Sequence, residues 1–142
     1  MSAVTAHLAA DTQVALRARQ FSWAGDEPPA AGGTGTGPTP YEMLLGSLAS
    51  CIALTLRVYA RHKGIELDSV DVADEFDRIY AVACEDFDER MDGWIDRLQT
   101  RVTIHGVFDD VQKQRLARVP SRCPVHKTLA NGVHVVDHVD FD

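Results

Sequence analysis

Apolar and polar positions alternate from Val14 to Trp23, with Val14, Leu16 and Ala18 on one side and Gln13, Ala15, Arg17 and Arg19 on the other. A period of two predicts a half-buried strand, because successive side chains of a strand point to opposite faces. A short strand before Ala9-Ala10-Asp11 would be its hairpin partner. From Asp26 to Pro40 the alternation stops, and four prolines and four glycines mark a long loop centred on Gly32-Gly33-Thr34-Gly35-Thr36-Gly37-Pro38. Loops of that length in compact domains are often functional.

The pattern then changes to a helical one. Thr39 is a good N-cap, Pro40 falls at the first helical position where its missing N–H costs nothing, and Glu42 completes a capping box. The helix should run to Lys63, with His62 and Lys63 complementing its dipole and Gly64 as the left-handed stop. Leu44, Leu48, Cys51, Thr55 and Val58 share one face, while Met43, Leu45, Ile52, Leu54, Leu56 and Tyr59 cover much of the rest. A helix apolar nearly all round is buried on most sides, which here predicts a second subunit against it.

Val70, Val72, Phe76, Tyr80 and Val82 mark one further strand, and Trp94, Leu98, Val102 and Ile104 another. Between them the acidic run Glu85 to Gly93 carries an Asp-Gly turn signal. Asp109 or Asp110 caps a helix to about Val119, Pro120 breaks it, and Cys123-Pro124 opens a short helix closed by Asn131-Gly132. Val133, Val135, Val139 and Phe141 predict a last strand.

A chain of 142 residues suits one domain, residues 1–142, and buries enough surface to fold without disulfide or metal. Its net charge of −7 argues against nucleic-acid binding through a broad basic surface. The N-terminus has no basic n-region or apolar h-region, and the apolar run Met43 to Leu56 is shorter than the ~20 residues of a membrane span. The expectation is a soluble cytoplasmic protein with no membrane partner, whose three cysteines form no structural disulfide scaffold.

Cys51 lies about three turns into its helix, beyond the reach of the dipole. Among leucines its thiol should be inert unless another segment brings a cation or a hydrogen-bond donor. Cys123, as N-cap beside Arg122, His126 and Lys127, is the easier thiolate by local electrostatics. Cys123 and His126 also have the spacing of half a zinc site, or of a Cys/His pair, but no second ligand pair accompanies them. Cys84, beside Glu85 and Asp86, reads as a bystander. Nine positions separate Glu42 from Cys51. That spacing sets them on opposite faces of one straight helix, about 13 Å apart along its axis. Any service of Glu42 to a cysteine would have to cross to a second subunit.

Gly37-Pro38-Thr39-Pro40-Tyr41-Glu42-Met43-Leu44-Leu45, followed by Cys51, by Thr55-Leu56-Arg57-Val58-Tyr59-Ala60 and by Lys63-Gly64, resembles the OsmC/Ohr family. Cys123-Pro124-Val125-His126-Lys127-Thr128-Leu129 resembles its second cysteine motif, and Asp26-Glu27-Pro28 with Gly32-Gly33 resembles an OsmC-like subgroup. The resemblance implies an α+β fold, with long central helices packed on wrapping antiparallel sheets in an intertwined homodimer. It also implies thiol-dependent reduction of hydroperoxides, chiefly organic ones, with hydrogen peroxide as a further substrate. Cys51 would be the peroxidatic cysteine and Cys123 the resolving one. Glu42 would orient an activating arginine, for which Arg19 is the candidate and Arg17 its alternative. A pocket for the hydroperoxide would draw on Leu48, Ile52 and the Gly-rich loop. No resident cofactor or metal is implied, only an external thiol or dihydrolipoyl reductant. The other reading is a non-catalytic dimer holding a small hydrophobic ligand, or a thiol redox sensor on the same fold.

Overall fold

A computed structural model describes residues 2–80 and 93–142. The predicted strand end at Val82, the acidic turn and Cys84 lie outside the described residues. The chain divides into two compact units, Met1–Gly46 and Ser47–Asp142.

The first unit is a three-stranded antiparallel sheet, β1 (Thr5–His7), β2 (Val14–Ala18) and β3 (Phe21–Gly25), in sequential order. Thr5 pairs with Arg17 and Ala18 with Phe21. The single strand expected from Val14 to Trp23 is therefore two strands. Arg19 adopts a left-handed φ of 53°, which turns the chain between them. Neither Arg19 nor Gln20 is a usual turn residue, so the alternation on either side of the bend read as continuous. Arg19 and Arg17 do not share a strand face as expected: Arg17 is on β2, and Arg19 sits in the turn with its guanidinium 5.1 Å from the centre of the Phe21 ring.

Asp26 organises the Gly-rich loop. Its carboxylate is buried and accepts six hydrogen bonds. The Thr12 hydroxyl and the Glu27 N–H each donate at 2.7 Å, and the Thr36 hydroxyl also donates at 2.7 Å. The Thr34 N–H and the Thr36 N–H donate at 3.2 Å, and the Thr34 hydroxyl completes the set. Donors on both oxygens stabilise the charged form. With the Thr34, Thr12 and Thr36 hydroxyls acting most strongly, the Asp26 carboxyl is held well below the usual carboxylate range. The loop passes so close to the sheet that a Cβ on Gly37 would lie 2.3 Å from the Ala24 carbonyl oxygen, so only glycine fits.

Helix α1 (Pro40–Lys63) begins with the expected capping box: the Glu42 N–H donates to the Thr39 hydroxyl at 3.2 Å, and the Thr39 N–H donates to the Glu42 carboxylate at 3.1 Å. It ends at Gly64, whose φ is 66°, with the Ile65 N–H donating to the Ala60 carbonyl as a Schellman closure requires. At 24 residues α1 is long and apolar enough to cross a membrane by length and composition alone, although the apolar run read from the sequence was shorter. Within one chain its buried residues are Leu48, Ile52, Leu56 and Ala60, at steps of four, so one stripe is buried where burial on most sides was expected with a second subunit in place.

In the second unit the chain beyond α1 forms the hairpin β4 (Ser69–Tyr80) and β5 (Trp94–His105), then α2 (Asp110–Ala117) and α3 (Pro124–Asn131). The hairpin register runs from Ser69 opposite His105 to Tyr80 opposite Trp94. Asp109 is the cap of α2, in a capping box with Gln112. The core gathers Ile52 and Leu56 of α1 with Leu116, Val119 and Cys123, and the inner face of the hairpin packs on it through Val70, Val72, Leu98, Val102 and Ile104. The predicted last strand does not form. Residues 133–142 make no ladder, and Val135, Val139 and Phe141 are exposed. Their alternation is strand-like, but a strand needs a neighbour to satisfy its N–H and C=O groups.

Asp26→Asn removes the charge at the centre of the loop and should lower the thermal unfolding midpoint by several degrees at neutral pH. The folded carboxyl titrates below its unfolded value of about 4. Its stabilisation is therefore complete above that value and declines as pH falls below it. Thermal melts of both proteins between pH 3 and 7 should show the gap closing on the acid side.

Candidate functional site

Two helices of the second unit bring Cys51 and Cys123 together. Cys51 projects from α1 half-buried, one turn beyond Leu48. Cys123 is completely buried at the start of α3. Both are free thiols, and Cys51 packs against the core cluster that contains Cys123, so that each influences the other's titration across 72 residues of sequence.

Local sequence explains the placement of Cys123. The Pro120–Arg122 turn ends α2's excursion, and the Cys123 N–H closes it on the Pro120 carbonyl at 3.2 Å. Pro124 then occupies the first helical position of α3. Cys123 is the N-cap as expected, with its Sγ accepting from the His126 N–H at 3.5 Å. The amide donors of the α3 N-terminus thus point at the sulfurs.

The electrostatic ranking read from the sequence is reversed. Burial pushes the Cys51 thiol up. The Cys123 thiol, the Val125 backbone N–H and the Thr55 hydroxyl outweigh it, and the net shift is downward. For Cys123 burial also acts upward and the neighbouring Cys51 adds to it. The His126 and Val125 amides oppose this without prevailing, so Cys123 is raised. One proton shared between two neighbouring thiols favours charge on one of them, and the shifts favour the more accessible Cys51. The required donor from another segment is present, and among the described residues it is neutral: the groups acting on Cys51 include no cation.

Thr55 and Val125 were not singled out by sequence reasoning. Thr55 Oγ1 lies 3.9 Å from Cys51 Sγ and donates to the Cys51 carbonyl at 2.7 Å. Its position four residues after Cys51 was the available signal. Val125 contributes only its backbone, so its side-chain type carried no signal.

The remaining expected site residues belong to the first unit. Glu42 serves the capping box, Arg17 is exposed on β2, and Arg19 covers Phe21. Among the described residues no cluster of His, Cys, Asp and Glu side chains is arranged to hold a metal ion.

A cavity of about 250 Å³ lies between α1, β5 and α3, and neither cysteine is among the residues that line it. Leu48, Leu98, Leu129 and Ala130 form its apolar walls, and Asp96, Thr100 and His126 its polar part. Of the pocket residues expected from the sequence, Leu48 lines it; Ile52 is wholly buried in the core.

No curated protein sequence matches the chain at a significant level. Solved structures do. An OsmC-like protein from Mycoplasma pneumoniae is 23% identical, with 92% of this chain and 87% of that one covered at a TM-score of 0.70. An organic hydroperoxide resistance protein OsmC from Legionella pneumophila is 20% identical, with coverage of 89% and 87% and a TM-score of 0.61. The organic hydroperoxide resistance protein OhrB of Bacillus subtilis is 20% identical, with coverage of 89% and 88% and a TM-score of 0.57. These likenesses establish the α+β fold with antiparallel sheets. The family model described as OsmC-like protein matches residues 33–136, a span that includes α1 with Cys51 and α3 with its Cys123 cap, and the chain belongs to that family.

Proposed function

We propose that the protein is a thiol-dependent peroxidase that reduces organic hydroperoxides through Cys51 and Cys123. The carrying observation is the pair of thiols gathered at one core, with Cys51 shifted downward and Cys123 upward, so that charge is favoured on Cys51. The thiolate is the nucleophilic form of cysteine. The names of the Legionella and Bacillus relatives, organic hydroperoxide resistance proteins, supply the substrate class.

In the first step Cys51 Sγ attacks the distal peroxide oxygen. The S–O bond forms as the O–O bond breaks, and the alkoxide leaves and takes a proton to become the alcohol. Cys51 is then a sulfenic acid. Cys123 gives up its proton and attacks that sulfur, and water leaves as the disulfide forms. An external dithiol or dihydrolipoyl group restores both thiols by exchange and is itself oxidised to a disulfide. The proximity of the sulfurs favours resolution within the chain over further oxidation of Cys51. Arg19, or Arg17, with Glu42 remains the activating pair that the family resemblance implies, supplied in this reading by a second subunit, in addition to the three neutral groups that already lower Cys51.

The working unit in this reading is a homodimer. Leu54 and Val58 of α1 are 65% and 63% exposed, an apolar helix face that a second copy would cover.

Three outcomes test this reading. Cys51→Ser should reduce cumene hydroperoxide consumption to the uncatalysed background, whereas Cys123→Ser should retain the first oxidation and stop at a dimedone-reactive sulfenic acid. Equal slow consumption by wild type and Cys51→Ser would remove the enzyme reading. Thiolate absorbance in a pH titration should place Cys51 below the free-thiol value of about 8.5 and Cys123 above it, and Cys123→Ala should move Cys51 upward by removing its first donor. Sedimentation should give a dimer for wild type and a smaller species for the Leu54→Asp/Val58→Asp double variant.

A further inference from the structure

The segment that carries Cys123 is charged with one sign only. Between Val111 and Val136 the sequence has five basic residues, Lys113, Arg115, Arg118, Arg122 and Lys127, and no aspartate or glutamate. All 21 acidic residues of a chain whose net charge is −7 lie elsewhere. Each of the five cations is exposed, and none has an acidic partner among the described residues. Asp109 and Asp110 stand at the opposite end of α2, where the Asp109 carboxylate already accepts from the Gln112 N–H.

Backbone hydrogen bonds keep the cations close to Cys123. The Arg118 N–H donates to the Arg115 carbonyl at 3.3 Å, the Arg122 N–H to the Val119 carbonyl at 2.9 Å, and the Cys123 N–H to the Pro120 carbonyl at 3.2 Å. Arg122 directly precedes Cys123, and the Lys127 N–H donates to the Cys123 carbonyl at 3.0 Å, one helical turn on. At a rise of at most ~2 Å per residue, Arg115 lies within about 16 Å of Cys123 along this path. Leu116 and Val119 of the same segment are buried, so the turns are anchored in the core while the basic side chains stay at the surface.

The groups that shift the two thiols include none of these five cations, so the peroxide chemistry leaves them unused. The Debye length is ~30 Å at ~0.01 M salt and ~10 Å at ~0.1 M, so at low salt the five act as one field. A field of one sign raises the encounter rate with a body of the opposite sign. The cycle needs one reactant besides the peroxide, a dithiol that reopens the Cys51–Cys123 disulfide. A small dithiol would meet one or two of the cations, and a single exposed ion pair contributes little. An extended acidic surface matches all five.

We propose that the basic surface from Lys113 to Lys127 is the docking site for an acidic protein that presents the reducing dithiol. The inference rests on the peroxidase reading and names the partner that restores its thiols. A thiolate of the docked partner attacks the Cys51 sulfur of the disulfide, the S–S bond breaks, and Cys123 takes up a proton. The partner's second thiol gives up its proton and attacks the partner's own sulfur in the mixed disulfide, and Cys51 leaves as the thiolate or takes that proton. The partner departs as a disulfide, and both cysteines are reduced.

The test uses the full chain with its Cys51–Cys123 disulfide formed by diamide, so that no peroxide turnover is required. Three synthetic peptides share one Cys-Gly-Pro-Cys dithiol and differ in their flanks of glutamate, serine or lysine. Reduction is followed by timed alkylation and mass spectrometry. At ~0.01 M salt the glutamate peptide should act about tenfold faster than the serine peptide, with the lysine peptide slowest, and the advantage should shrink as salt is added. The triple variant Arg115→Glu/Arg118→Glu/Arg122→Glu should reverse the order, while uncharged dithiothreitol should reduce both proteins at the same rate. Equal rates for the three peptides on the wild type at low salt, or a preference for the lysine peptide, would overturn the inference without recourse to any variant. Retention of a DNA duplex at ~0.15 M salt with no ranking of the peptides would overturn it in favour of a nucleic-acid partner. If the protein consumes no hydroperoxide the peroxidase reading fails, and the ranking on the diamide disulfide still decides the role of the surface. If diamide yields no Cys51–Cys123 disulfide, both fail.

Discussion

The meeting of two thiols that are distant along the chain, each shifting the other's titration, is the constraint on which the site depends. Neither sulfur would be chemically special alone. Cys51 is too far along α1 for that helix's dipole, and Cys123 is enclosed in the core. Placed together, they divide the burden of burial unequally. The Val125 N–H and the Thr55 hydroxyl join the Cys123 S–H in favouring charge on Cys51, and that charge in turn holds the proton on Cys123. The same contact that prepares the nucleophile keeps the second thiol beside it.

The fold of the second unit follows from this requirement as much as from packing. Cys123 belongs to the core with Ile52, Leu56, Leu116 and Val119, and it also caps α3. A residue that fills the core, ends a turn and begins a helix has little freedom to move. Arg57 adds to the rigidity by donating to the Leu67 and Asp68 carbonyls at 2.5 and 3.1 Å, which fixes the exit from α1. The first unit is ordered differently, around the buried charge of Asp26. There three threonines and three backbone amides give a glycine-rich loop one conformation without a hydrophobic core of its own.

Much of this was legible in the sequence where local chemistry decides the outcome. The Thr39–Glu42 box, the Gly64 stop, the Asp109 cap and the Cys123-Pro124 helix start form from neighbouring residues, and each is where the pattern put it. The turn at Arg19 was not legible, because no glycine or asparagine marked it. The stripe of α1 that one chain buries was not legible, because a helix apolar nearly all round gives periodicity little to choose from. The ranking of the two thiols by local charges alone, which favours Cys123, runs against the structure, while the family resemblance had pointed to Cys51. Arg122, His126 and Lys127 are near Cys123 in sequence, but its charge state is decided by burial and by a sulfur 72 residues away. The failed strand after Gly132 shows the converse. Alternation at Val133, Val135, Val139 and Phe141 is a statement about side chains, and a strand also needs a backbone partner.

Mass spectrometry of the intact and digested protein after one equivalent of an organic hydroperoxide tests the dithiol most directly. The account predicts loss of two hydrogens and a single cross-link joining the peptides of Cys51 and Cys123. An added oxygen persisting on one cysteine with no cross-link, or a disulfide through Cys84 in its place, would contradict it.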